Sequence, residues 1–92
     1  KEGGRFDLPI ALGILAASGQ IPQKALHGLE FVGELALGGE LRAIRGVLPS
    51  AMAAANAKRG LVVPNQNAAE AALSQQCEVF AVGHLLEICA HL

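Results

Sequence analysis

The stretch Phe31–Gly46, FVGELALGGELRAIRG, decides how the chain is read. Phe31, Gly33 and Leu35 alternate with Val32, Glu34 and Ala36, which is the period of an extended strand with two faces. Gly38-Gly39 then offers left-handed backbone positions for a tight turn, and Glu40–Ile44 is expected to fold back as the second strand of a hairpin. Arg45-Gly46 breaks that strand. Helices before and after the hairpin are expected to pack on one side of the sheet it helps to build.

On the N-terminal side, Asp7 is placed to cap a helix, Pro9 is tolerated in its first turn, and Leu8, Ala11, Leu12, Leu15 and Ala16 form one apolar face. Gly19 ends that helix. Gln20–Leu29 reads as a loop with one short turn. Gly13 in the helix interior costs about 1 kcal/mol relative to Ala, which a close approach of the hairpin would explain. Lys1–Phe6 carries two glycines and mixed charge without an initiator region, as expected of a piece of a longer protein.

On the C-terminal side, Val47, Leu48, Ala51, Met52 and Ala55 recur at helical spacing. Pro49 falls in the first turn, and Lys58-Arg59 complements the negative end before Gly60. Ala53, Ala54, Ala55 and Ala57 would allow tight helix–sheet packing. Leu61-Val62-Val63, ended by Pro64, suits a strand buried on both faces. Asn67 with Glu70 resembles a capping box for a short helix from Ala68 towards Ser74. Cys77–Val82 reads as a third buried strand, and His84–Leu92 as a final helix with Leu85, Leu86, Ile88 and Cys89 inward. This order predicts an α/β (α+β) architecture, a mixed sheet with a β-hairpin and covering helices.

The 92 residues suffice for one domain with a small core, whose only large rings are Phe6, Phe31 and Phe80. A net charge of −1 creates no global field for nucleic acid or an anionic membrane. No apolar run approaches the ~20 residues that span a bilayer. Cys77 and Cys89 read as reduced, buried small hydrophobes. His27, His84 and His91 are widely spaced and carry no metal-ligand signature, so no metal site is expected; His84 and His91 suit the ends of the last helix. The phosphate-loop pattern G-x-x-x-x-G-K-[ST] is absent, and Gly38-Gly39 is followed by Glu40, so ATP is expected to bind outside this chain. Arg42, Arg45, Lys58 and Arg59 are candidate phosphate contacts. Glu30, Glu34 and Glu40 among them make an ordinary solvated surface the plainer reading, and no aromatic side chains are available to stack on bases.

Long strings in the chain are recognisable. Lys1–Ala11 (KEGGRFDLPIA), Gly33–Leu37 with Gly39 and Leu41, and Arg45–Pro49 (RGVLP) resemble the Mg-chelatase-like ATPases of the ComM (YifB) family. The similarity continues through Val63-Pro64 and Asn67-Ala68 to His84-Leu85-Leu86, and so covers essentially the whole chain. The resemblance implies the latter part of an N-terminal domain similar to the Lon proteolytic domain, with the ribosomal S5 domain 2-like fold and further strands before Lys1. A sheet edge would then be open, with dimerisation of the fragment as one outcome. It also implies that an AAA+ module follows, binding ATP and Mg2+ and forming a homo-oligomeric ring. Such a parent protein would be a cytoplasmic, ATP-driven helicase that promotes branch migration of DNA in natural transformation.

Lon-type peptidases use a nucleophilic Ser and a Lys that assists its deprotonation. Laid on this chain, the resemblance puts Ile10 at the serine position and Leu48 at the lysine position, and neither side chain can perform its part. A relocated pair is not offered by Ser50 and Lys58, which lie about 12 Å apart along one helix. The leading expectation is a non-catalytic structural and interaction module. The alternatives are a Lon-type serine peptidase domain and a direct DNA-binding module.

Overall fold

The computed structural model describes residues 3–92, so the expectations for Lys1 and Glu2 lie outside the described residues. Helix α1 (Asp7–Ala17) is followed by strand β1 (Leu29–Phe31) and the short strands β2 (Glu34–Leu35) and β3 (Leu41–Arg42). Then come helix α2 (Val47–Asn56), strand β4 (Gly60–Pro64), the single turn α3 (Ala68–Ala71), strand β5 (Val79–Val82) and helix α4 (Leu85–His91).

The main sheet is parallel, in the order β1-β4-β5, with Phe31, Val62 and Phe80 in one row across it. Its central strand behaves as the run Leu61-Val62-Val63 predicts, because a parallel strand flanked on both sides must be apolar on both faces. Leu61 and Val63 pack with Val47, Ala51 and Ala54 of α2 and Ala71 of α3. Val62 faces the other way, towards Leu8, Leu12 and Ala16 of α1 and Ile88 of α4. Helices therefore cover both faces, not one side as the sequence suggested.

The hairpin also differs from its expected form. The extended run breaks at Val32-Gly33, so β1 joins the parallel sheet while β2 and β3 form a separate antiparallel pair, Glu34 opposite Arg42 and Leu35 opposite Leu41. Gly33 is buried at the break, where a Cβ would lie 3.3 Å from Leu41 Cδ2 and 3.4 Å from Pro64 Cγ, so a larger residue requires those side chains to shift. A bridge between Glu40 and His84 links the pair to the exit of β5. The turn uses one left-handed residue rather than two. Gly39 N–H donates to Ala36 C=O and Gly39 itself has φ of +97°, a turn closed by a left-handed glycine.

The first helix buries the face its spacing predicts, whereas α2 departs from its predicted phase and α4 departs at one residue. α1 is apolar on every side, so Leu8, Leu12 and Ala16 go inward while Ile10 and Ile14 remain exposed. Gly13 faces open space with nothing within 4 Å, so no hairpin approach explains it. In α2 the alanine-rich sequence buries Ala54 and turns Met52 outward. That helix ends at Asn56, and Lys58 just beyond it takes a left-handed conformation (φ 60°). In α4, Ile88 is buried and Leu86 is exposed. β5 is an edge strand, with Phe80 and Ala81 exposed rather than buried. Cys77 and Cys89 are free thiols packed against opposite faces of the sheet.

Candidate functional site

The two positions that correspond to the Lon dyad carry no reactive group. Ile10 stands on the outer face of α1 and is 60% exposed. Leu48 is half-buried in the first turn of α2, where its N–H donates to Glu70 Oε2 at 3.2 Å. A crevice of about 520 Å³ lies between the start of α1 and α2, with Phe6, Pro9, Ser50 and Ala53 in its walls. Neither Ile10 nor Leu48 lines it.

A hydroxyl does meet a cation here, a contact that sequence spacing could not reveal: Arg5 Nη2 donates to Ser50 Oγ at 3.5 Å. A guanidinium stays protonated throughout the accessible pH range and has no lone pair to accept a proton. Ser50 is thus given a donor and no base. Among the described residues, no hydrogen bond joins a serine to a lysine; Ser18 Oγ donates to Leu15 C=O.

The candidate phosphate contacts fall into two groups. Arg42, at the end of β3, and Arg45, just before α2, are exposed, whereas Lys58 and Arg59 lie beyond the far end of α2. The ten residues of α2 separate them by about 15 Å. Arg59 is already engaged, its Nη1 lying 2.9 Å from Glu30 Oε2 on the surface.

A different constellation gathers around the hairpin, and its members are polar side chains spent on backbone groups. Asp7 does not cap its own helix; its Oδ2 accepts from Leu35 N–H at 3.2 Å. Asn67 is 5% exposed. Its Oδ1 accepts from Ile44 N–H and its Nδ2 donates to Ile44 C=O, both at 2.9 Å. Glu70 accepts from Leu48 N–H and so serves the N-terminus of α2. The predicted capping box for α3 is therefore not formed, because both of its side chains reach across to other segments.

The box is found instead at α4. His84 Nδ1 accepts from Leu86 N–H at 3.0 Å, while Glu87 Oε1 accepts from His84 N–H at 3.2 Å and Gly83 N–H at 2.7 Å. An accepting Nδ1 assigns the ring proton to Nε2, which then donates to Gly38 C=O at 3.0 Å. Next to it, Leu85 N–H donates to Gly39 C=O at 2.9 Å. The glycine turn thus directs its carbonyls at α4, and it does not fit a phosphate, which requires converging amides. The box was legible as His84 with Glu87, but histidine is a less familiar cap than serine or aspartate.

The electrostatics are mild. Burial, and then the neighbouring Glu78 carboxylate, raise the Cys77 thiol above its ordinary value. Among the described residues there is no cluster of three or more His, Cys, Asp or Glu side chains able to hold a metal ion, and no helix is long and apolar enough to cross a membrane.

Residues 1–67 match the family model described as subunit ChlI of Mg-chelatase. Among individual proteins, the competence protein ComM of Haemophilus influenzae is 50% identical over all 92 residues. Proteins named YifB from Salmonella typhimurium and Escherichia coli are 48% and 44% identical over the same span. The chain covers 18% of the length of each of these relatives.

Proposed function

The chain belongs to the family of Mg-chelatase subunit ChlI, with ComM and YifB proteins among its relatives, and from that membership we infer that it is a non-catalytic structural and interaction module of a longer protein. In this reading residues 1–92 form the latter part of a Lon-like domain with the S5 domain 2-like fold. An AAA+ module elsewhere in the protein would bind ATP and Mg2+ and assemble into a ring. The activity of the whole protein would be cytoplasmic, ATP-driven branch migration of DNA during natural transformation, a reading that the name of the Haemophilus influenzae competence protein supports.

One observation carries the local part of this proposal. Asp7, Asn67, Glu70 and His84 bond to backbone amides or carbonyls of the hairpin and the segment that leaves it, and Glu87 bonds to the backbone amides of Gly83 and His84 that lead into α4. Groups arranged for proton transfer must keep a lone pair or proton facing a substrate. These face the fold. Incubating the full-length protein with an unfolded substrate and ATP is expected to leave the substrate intact; cleavage that survives removal of contaminating proteases would overturn the reading.

Direct DNA binding is the second reading, favoured by Arg42 and Arg45, which are exposed and make no ion pair among the described residues. It predicts binding that weakens steeply with salt, and a shallower salt dependence in Arg42→Ala/Arg45→Ala. Undetectable binding at low salt would count against it.

A further inference from the structure

The imidazole that joins the hairpin turn to α4 makes its two bonds in a single protonation state. His84 Nδ1 accepts from Leu86 N–H while Nε2 donates to Gly38 C=O, each at 3.0 Å. The ring is seated against the turn: a Cβ on Gly39 would lie 2.7 Å from His84 Cε1 and 3.1 Å from Nε2. Two carboxylates face the same place. Glu87 of α4 accepts from His84 N–H, and Glu40 of the hairpin has its Oε1 2.8 Å from where a Cβ on Gly38 would stand. Neither is ion-paired with the ring among the described residues. Strand β5 brings no titratable side chain to it, and Asn65, which lies against Gly83, is neutral.

We propose that His84 is a pH-sensitive latch on α4: the neutral ring holds helix and hairpin together, and the imidazolium keeps the hairpin but releases the first turn of the helix. The added proton enters at Nδ1, the atom that accepts from Leu86 N–H. Two donors then face each other and that bond is lost, whereas Nε2–H still donates to Gly38 C=O. The positive end of the helix repels a cation at its cap, and the Glu40 carboxylate attracts that cation from the hairpin side. Charging the ring therefore shifts it off α4. That helix has seven residues, too few to be held by its own hydrogen bonds, and through Ile88 it covers one face of the sheet. The cap is present while the ring is neutral and is lost as pH falls through the range, about pH 6.5, in which an imidazole ordinarily charges. The inference does not depend on whether the protein cleaves peptides or binds DNA.

The test is hydrogen exchange of the full-length protein at single-amide resolution, corrected for the intrinsic pH dependence of exchange. Between about pH 7.5 and about pH 5.5 the Leu86 amide is expected to lose protection about five-fold or more. Leu61, in the central strand, and Gly39, bonded within the hairpin turn, should keep theirs. In His84→Asn the effect should vanish, because an Asn carbonyl accepts at a helix N-cap and does not titrate. In His91→Gln, which removes the other imidazole of α4, it should persist. Unchanged Leu86 protection, an equal loss at Leu61 or Gly39, persistence in His84→Asn or disappearance in His91→Gln would each overturn the proposal. Solid-state NMR of the unmutated, 15N-histidine-labelled protein decides independently of whether the variants fold. Nδ1 should be unprotonated at the higher pH and protonated at the lower, and a proton on Nδ1 at the higher pH would also overturn it.

Discussion

His84 Nε2 and the carbonyl of Gly38 are hydrogen-bonded at 3.0 Å although 46 positions separate the two residues. The same imidazole caps α4 through Nδ1, so one ring fastens the hairpin turn to the last helix. His84→Ala removes both bonds. The expected cost is about 2 kcal/mol, or roughly 10 °C in Tm for a domain of this size. Exchange of the Leu41 amide, which donates to Gly83 C=O next to this clasp, should accelerate more than that of Leu61.

Asn67 distinguishes a local from a long-range role. As a helix cap, Asp would replace Asn with little loss. As the partner of both backbone groups of Ile44 it cannot, because a carboxylate has no N–H for the carbonyl. Asn67→Asp and Asn67→Ala are both expected to lower stability by about 2 kcal/mol or more, measured by denaturant titration. An unchanged midpoint for Asn67→Asp would restore the capping-box reading.

Two glycines should respond with opposite sign. Gly13→Ala acts in an exposed helix interior with nothing within 4 Å and should stabilise by about 1 kcal/mol. Gly39→Ala places a Cβ 2.7 Å from His84 Cε1 at φ of +97° and should destabilise by more than that. Parallel thermal melts decide both.

Cys77 should react slowly with iodoacetamide near neutral pH, since burial and Glu78 hold its proton. A thiol whose folded pKa is raised contributes stability below the pKa of the unfolded chain, and that contribution is lost as pH rises through the folded value. Glu78→Gln should speed alkylation. A rate equal to that of free cysteine at pH 8 would contradict this.

Much of the skeleton was legible in the residues. Leu61-Val62-Val63 identified the central strand because three consecutive apolar residues before a proline are unusual outside a doubly covered sheet. Gly46 and Gly19 correctly marked element boundaries. The phase of α2 was not legible, because its alanines offer little contrast between faces. Asp7, Asn67 and Glu70 were assigned to their own helices because local spacing is visible in a sequence, whereas partners 22 to 28 positions away are not. At the candidate site, Ile10 and Leu48 stood out only through family resemblance. Arg5 and Ser50, which meet beside the crevice, carried no signal at all.

The strands of the hairpin are two residues long each, and a ribbon that short has no independent stability in water. It persists because α1, Asn67 and α4 grip it from three directions, so its formation waits until distant parts of the chain have come together. During folding this ribbon is a late arrival, and under stress it should be the earliest part to come loose. A partner that reads its tip would in effect be sensing whether everything else has already been put together.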